Sequence, residues 1–195
     1  TRVWGFGVKW CGRTMSTDQK DIYVVDIDNI AAARQATEVV IGQGRTKLAT
    51  IAGPQDMGAG LDRLVGFRQA VEDAGLEPVA IEIGDFTPAS GRRIMQQLLD
   101  ANLAVDGLFA ASAQMGFGAL QALAEAGVKV PEDISVTSVD DDSFARSSTP
   151  PLTTIAQNPE HQGEIMAELL IKRINGEQVP EWSIMDTKLV LRASH

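Results

Sequence analysis

The chain has 195 residues, and 17 Lys and Arg against 26 Asp and Glu give a formal net charge of −9. This length can bury one large core or two small ones, and 44% hydrophobic with 22% charged residues is typical of a globular protein. The acidic balance disfavours nucleic-acid contact by these residues, because phosphates require a basic surface. A single cysteine excludes an internal disulfide, which favours a reducing compartment and predicts a cytoplasmic protein.

The composition offers little for a metal, a membrane or an export signal. Two histidines and one cysteine leave little for a zinc site, and we expect neither a metal nor a cofactor. No run of about 18 apolar residues exists, so no membrane-spanning helix is predicted. The first residues lack the pattern of a signal peptide, and the chain opens on Thr1 without an initiator methionine. We therefore expect a piece of a longer protein.

Hydrophobic periodicity predicts alternating strands and helices. A helix cap at Asp28-Asn29 and an early helical Pro88 mark two of the helix starts. Residues 144–159 are rich in Ser, Thr and Pro and are interpreted as an irregular crossover. In chain order we expect an apolar start at 3–8, a strand at 22–25, a helix at 30–41, a strand at 48–52, a helix at 61–73, a strand at 79–83, a helix from 88, a strand at 107–111, a helix around 117–124, a strand at 134–139, the crossover, a helix at 160–174 and a strand at 188–191.

The four central strands predict a parallel α/β sheet. They are short, apolar and roughly 30 residues apart, which is typical of strands covered by helices on both faces. Right-handed crossovers place every strand-to-helix turn at one edge of such a sheet, and ligands of open α/β sheets bind there. Four turns share this edge, at 53–60, 84–87, 112–113 and 140–143. We expect a ligand site among them.

Two charged residues are the main candidates at this edge. Arg63 follows the Gly-rich first turn, where it could form a surface ion pair with Asp62 or Asp56, or donate two hydrogen bonds to a ligand. Asp140 is the first of three aspartates that follow the strand at 134–139. Aspartates there can form a turn, cap a helix or accept hydrogen bonds from ligand hydroxyls, and Asp140 lies nearest the edge.

Other chemistry has weaker support. Phe86, in the second turn, could stack on a sugar or base, or pack at the edge of the core. Asp26 and Asp28 form a D-x-D pattern like that of phosphoryl-transfer hydrolases, but a helix cap explains Asp28. No phosphate loop or G-x-S-x-G elbow is present. Cys11 and His161 are interpreted as a small buried thiol and a solvated ring. No enzyme is predicted.

Six segments resemble, in order and spacing, the motifs of LacI/GalR-type transcription regulators, and together they span nearly the whole chain. The segments are 25–32 (V-x-x-D-N-x-x-(G/A)-(A/G)), 42–49 (L-G-H-R-x-I-A), 63–67 (R-x-x-G-F), 131–141 (P-x-D-(I/V)-S-V-x-G-(F/Y)-D-D), 151–163 (P-P-L-T-T-(I/V)-x-Q-x-x-x-x-x-G) and 189–194 (L-V-x-R-x-S). The chain is therefore similar to the effector-binding core of that family.

The resemblance implies a periplasmic-binding-protein-like fold, with doubly wound parallel sheets in two lobes and a small-molecule effector between them. Residues 1–28 and 157–184 would belong to an N-terminal lobe that is only partial here. Residues 29–156 and 185–195 would form a complete C-terminal lobe. Operator DNA would be bound by an N-terminal helix-turn-helix domain outside this sequence, and the core would form a homodimer.

The resemblance also implies roles for single residues. Arg63 and Asp140 match effector-binding residues of the family, Gln157 matches a glutamine beside the cleft, and Phe86 matches an aromatic that packs on the ligand. At Ser112-Ala113 many members carry Asn-Asp or Ser-Asp, so Ser112 is the polar side chain left there. An arginine that donates beside an aspartate that accepts suits the vicinal hydroxyls of a polyol.

These observations favour the effector-binding core of a regulator, with a sugar or related polyol as effector. An alternative is an exported sugar-binding receptor for transport, which has the same fold but carries a signal peptide. A phosphatase that uses Asp26 and Asp28 is a third hypothesis.

Overall fold

The fold consists of two sheets joined by three connections, as seen in a computed structural model that describes residues 23–195. The predicted apolar start at 3–8 and Cys11 lie outside the described residues. The elements are β1 (Val24–Ile27), α1 (Asn29–Gly42), β2 (Leu48–Ala52), α2 (Gly58–Asp73), β3 (Ala80–Ile83), α3 (Pro88–Asp100), β4 (Gly107–Ala110), α4 (Ala113–Glu125), β5 (Ser135–Val139), α5 (Ser143–Ser147), β6 (Thr153–Ala156), α6 (Pro159–Ile174), β7 (Trp182–Met185) and β8 (Lys188–Val190).

Most strand pairs are parallel. β1 and β7 form a two-stranded parallel sheet. The larger sheet has the order β3-β2-β4-β5-β6-β8, and its strands are parallel except for β8, which runs antiparallel to β6. The predicted α/β class with a parallel sheet is therefore confirmed. The residue boundaries of the two lobes stay a prediction. No helix within the described range is long and apolar enough to cross a membrane.

Helices cover both faces of the large sheet. Thr137 and Ser138 are neighbours on β5, so their side chains point to opposite faces. The Thr137 hydroxyl donates to the carbonyl of Ala36 on α1 at 2.9 Å. Ser138 lies on the other face, where its Cβ is 3.5 Å from a Cβ built on Gly116 of α4. The sheet is thus doubly wound, which explains why its central strands are apolar and fully buried.

A glycine lets α1 and α2 pack closely. A Cβ built on Gly66 of α2 would lie 2.2 Å from the carbonyl oxygen of Ile30 and 2.9 Å from the amide nitrogen of Arg34, both on α1. Only a residue without a side chain fits there, which gives a physical reason for the glycine in the R-x-x-G-F segment. The close approach brings Arg63, one turn earlier on α2, beside the start of α1.

Two expectations about secondary structure are wrong. The crossover at 144–159 is not irregular, because it contains most of α5 and all of β6. β6 contains two fully buried threonines, and their hydroxyls have partners: Thr154 donates to the Asp140 carbonyl at 3.1 Å. The first strand is two residues later than expected, so Asp26 lies inside β1 and not after it. Sequence patterns did not predict β7. Two large apolar residues on this strand are exposed, Trp182 to 50% and Ile184 to 57%.

The strand order creates a switch point between β2 and β4. From β2 the chain crosses through α2 to β3 on one side, whereas from β4 it crosses through α4 to β5 on the other. In open α/β sheets the connections that leave such a point in opposite directions border a crevice at the carboxyl ends of the strands. Ligands of open α/β sheets bind in such a crevice.

Candidate functional site

Arg63 lies at the switch point and is almost completely buried, with 5% of its surface exposed. Its Nε donates to the side-chain oxygen of Asn29 at 2.8 Å, and its Nη1 donates to the carbonyl of Ala111, just after β4, at 2.6 Å. The same guanidinium faces the carboxylate of Asp140. A surface ion pair with Asp62 or Asp56, one of the two interpretations of Arg63, is therefore wrong.

Asp140 follows β5 and faces Arg63 across the crevice. Its oxygens lie 3.3 Å from Nη1 and 3.4 Å from Nη2 of Arg63, and one of them also accepts a hydrogen bond from the Gln157 amide. The Asp140 backbone is in the left-handed region, with φ of 79°. Its amide donates to the Ile155 carbonyl at 3.0 Å and its carbonyl accepts from Thr154, which holds this conformation.

The Arg63–Asp140 contact is longer than a typical ion pair, and its Asp140 side is partly open to solvent. Ion-paired groups normally approach to about 2.7–2.9 Å, so contacts of 3.3 and 3.4 Å are loose. The Asp140 side chain is 26% exposed, while that of Arg63 is 6% exposed. A hydroxyl at the open side of the pair could therefore donate to the carboxylate and accept from the guanidinium at the same time.

The other two aspartates of the triplet have structural partners. Asp141 forms ion pairs with Arg192 at 2.6 Å and with Arg146 at 3.4 Å. The contact with Arg192 lacks the angles of a hydrogen bond. Asp142 caps α5 by accepting from the amides of Phe144 and Ala145. Burial raises the pKa of Asp142, and the neighbouring aspartates add to this effect against the opposing amide hydrogen bonds. Asp140 is thus the member of the triplet that faces the crevice.

Phe86 lies in the turn between β3 and α3, partly buried and with a left-handed φ of 65°. Its ring covers Gly53 at the end of β2, where a built Cβ would lie 2.2 Å from the ring. Asp85 holds the turn by accepting from the Thr87 amide at 2.9 Å and the Thr87 hydroxyl at 2.6 Å. Hydrogen bonds from Thr87 and Ser90 lower the pKa of Asp85 to about 2. Phe86 therefore lies at the same sheet edge as Arg63.

The Ser112 side chain caps the N-terminus of α4. It is buried, and its hydroxyl oxygen accepts from the Met115 amide at 3.3 Å as the cap of α4. Its hydroxyl hydrogen is the part left to meet a ligand. The roles of Arg63, Asp140, Gln157, Phe86 and Ser112 in binding stay predictions.

Sequence reasoning missed two groups that shape the site. Asn29 was interpreted as part of a helix cap, but Asp28 alone caps α1, and the Asn29 amide reaches Arg63. The Ala111 carbonyl could not be found from side-chain patterns at all. The D-N segment at 28–29 drew attention to Asn29. Its contact with Arg63 could not be predicted from that segment, because the contact depends on how α2 packs against α1.

The residues that the structure describes contain no group of three His, Cys, Asp or Glu side chains able to hold a metal ion. His161 is exposed in the first turn of α6 and lies 3.1 Å from Glu164. Asp28 caps α1, while Asp26 contacts Asn29, so the D-x-D pattern does not bring its two carboxylates to one point.

Comparisons with known sequences identify relatives. The family described as "Periplasmic binding protein-like domain" matches residues 37–195. The HTH-type transcriptional regulator CelR of Thermobifida fusca is 44% identical over 186 residues, which are 94% of this chain and 55% of CelR. The HTH-type transcriptional repressor CytR of Escherichia coli K12 is 37% identical over 177 residues, 89% of this chain and 52% of CytR. The chain spans about half the length of the curated relatives it matches.

Solved structures agree with the sequence matches. The complex of the transcriptional regulator CelR with cellobiose has a TM-score of 0.88 at 44% identity, covering 94% of this chain and 57% of that chain. The dimeric Lac repressor with an 11-residue C-terminal deletion has a TM-score of 0.86 at 28% identity, covering 91% and 65%. The resemblance inferred from the motifs is confirmed. The chain belongs to the periplasmic binding protein-like domain family, and within it to the kind of core found in LacI-type regulators.

Proposed function

We propose that the chain is the effector-binding core of a LacI/GalR-type transcription regulator, and that a saccharide or related polyol binds at the switch point between its lobes. The observation that carries this proposal is the loose pair of Arg63 and Asp140, in which one donor and one acceptor face the same crevice. Ligand binding would favour one arrangement of the lobes and so change operator binding by a domain outside this sequence.

The chemistry of the pair supports a polyhydroxylated ligand. Each hydroxyl donates one hydrogen bond and accepts others, so neighbouring hydroxyls can satisfy Asp140 and Arg63 together. Phe86 adds an aromatic ring at the same sheet edge, over Gly53, and such a ring suits the C–H face of a sugar. The structure of CelR with cellobiose supports the same ligand class for this chain.

The comparisons also support the proposed partners. An acidic core with a net charge of −9 fits operator contact by a separate basic domain. The relatives are named as HTH-type regulators, and a dimeric Lac repressor is among the structural neighbours, which supports a homodimer. We place the protein in the cytoplasm, where such regulators meet DNA.

The regulator is favoured over the two alternatives. An exported receptor would share the fold, but the relatives at 37–44% identity are transcription regulators. A phosphatase would need Asp26 and Asp28 to act together, and they have separate structural partners. The relatives are likewise not enzymes.

Isothermal titration with a panel of mono- and disaccharides, including cellobiose, tests the site. The purified protein should bind at least one of them. Arg63→Met and Asp140→Asn should each weaken that binding by at least about tenfold, because each removes a hydrogen bond to a charged group.

Arg34→Met is the matched control, since Arg34 forms exposed ion pairs with Glu38 and Asp73 on the surface. It should leave saccharide binding unchanged. Wild-type affinity in both Arg63→Met and Asp140→Asn would place the site elsewhere, and no binding of any saccharide by the wild type would overturn the ligand class.

A further inference from the structure

Asn29 lies between a carboxylate and a guanidinium. Its side-chain oxygen accepts from Arg63 Nε at 2.8 Å, and its side-chain nitrogen lies 3.3 Å from both carboxylate oxygens of Asp26. Arginine only donates and a carboxylate only accepts, so this orientation of the amide is the one that satisfies both neighbours. Asn29 is 3% exposed, and its contacts are therefore little screened by water.

Capping does not explain this asparagine. Asp28 caps α1 by accepting from the Ala31 amide at 3.0 Å, which leaves the Asn29 side chain free to turn toward α2. Asn29 also follows β1 directly, at the first connection between the two sheets. Asn29 therefore links Asp26 on the two-stranded sheet to Arg63, which lies at the edge of the large sheet.

Because the Asn29 amide that accepts from Arg63 is neutral, it leaves the charge of the guanidinium unpaired on that side. The amide holds Nε without neutralising the guanidinium, so the positive charge remains directed at Asp140 and at the open side of the pair. A carboxylate at position 29 would draw that charge away from Asp140. An apolar residue there would leave Nε of a buried guanidinium without a partner.

We propose that Asn29 is a positioning residue for effector binding: it sets the plane of the Arg63 guanidinium and, being neutral, keeps the Asp26 carboxylate from pairing with it. This inference rests on the proposed function, since the affected property is affinity for the polyol. It adds to that function a residue that touches Arg63 and not the ligand.

Three variants separate the two effects of Asn29, its hydrogen bond to Arg63 and its lack of charge. Asn29→Ala should weaken binding of the best saccharide by about tenfold, the effect of one lost hydrogen bond to a charged group. Asn29→Asp should weaken binding and also destabilise the protein, because two carboxylates then face each other. The double variant Asp26→Asn with Asn29→Asp exchanges the two side chains at unchanged net charge, so that residue 26 again donates and residue 29 again accepts. It should restore the melting temperature but leave binding weakened.

Wild-type affinity in Asn29→Ala would overturn the positioning role. Wild-type affinity in the exchange variant would overturn the claim about charge, because geometry alone would then suffice. Asn29→Ala that loses stability without losing affinity would indicate a structural role only, and that outcome also overturns the proposal.

A measurement without ligand separates failure of this inference from failure of the proposed function. Nitrogen-15 NMR of the arginine side chains should show an Arg63 Nε–H protected from solvent exchange, and Asn29→Ala should remove the protection. An Arg63 signal that exchanges as fast as that of exposed Arg68 would overturn the positioning role, whatever the protein binds. A protected signal in a protein that binds no saccharide would leave the contact standing and overturn the ligand class.

Discussion

Arg63 and Asp140 are 77 positions apart in the chain, yet their charged groups meet at 3.3 Å at the carboxyl edge of the sheet. The first is held from behind by Asn29 and Ala111, the second by Gln157 and by its own left-handed backbone. Each group is thus fixed by protein contacts before a ligand arrives, and such preorganisation reduces the entropic cost of binding.

The packing of α1 against α2 can be tested at Gly66. Gly66→Ala should destabilise the protein by about 1–3 kcal/mol, because the new Cβ would lie 2.2 Å from the Ile30 carbonyl oxygen, part of a backbone that cannot easily move. Gly163→Ala on α6 is the matched control, since a Cβ there meets no atom of residues 23–195 within 4 Å. It should stabilise the protein by about 0.5–1 kcal/mol. Urea denaturation measures both, and equal effects would contradict the packing argument.

Ser138 on β5 carries a buried hydroxyl without a hydrogen-bond partner within the described part of the chain. Ser138→Ala should therefore stabilise the protein by about 1 kcal/mol, because it removes an unsatisfied polar group. Thr137→Val, one residue earlier, removes a hydroxyl that donates to the Ala36 carbonyl and should destabilise it by a similar amount. Thermal melts of the two variants should shift in opposite directions, and a lower melting temperature for Ser138→Ala would show that its hydroxyl has a partner.

The turn that carries Phe86 should lose stability in acid. Hydrogen bonds from Thr87 and Ser90 lower the pKa of Asp85 to about 2, from an ordinary value of 3.8. A lowered pKa stabilises the folded state above pH 4, and this contribution is lost as the pH falls from 4 toward 2. Asp85→Ala should therefore be less stable than the wild type at pH 7, with a difference that shrinks in that window. Denaturation at several pH values measures it, and a constant difference would show that the Asp85 charge is not responsible.

Local patterns anticipated the central strands and helices well. The strand expected at 48–52 is β2 with the same bounds, and helices were expected near α1, α2, α3 and α6. Apolar runs and helix caps are local signals, so they can be read without tertiary structure. β6 was missed because Thr153 and Thr154 look polar in sequence, although partners distant in the chain satisfy their hydroxyls inside the core.

The sequence by itself determined the fold class, the sheet edge at which a site should lie, and Arg63 and Asp140 as its candidates, because alternating periodicity predicts a parallel α/β sheet and right-handed crossovers place its turns at one edge. Only the tertiary structure decided that Arg63 is buried, that Asp140 and not Asp141 or Asp142 faces it, and that Asn29 lies behind it. Those relations depend on how closely α1 and α2 pack and on which partner each polar group reaches. Both are properties of the folded chain that no local pattern contains.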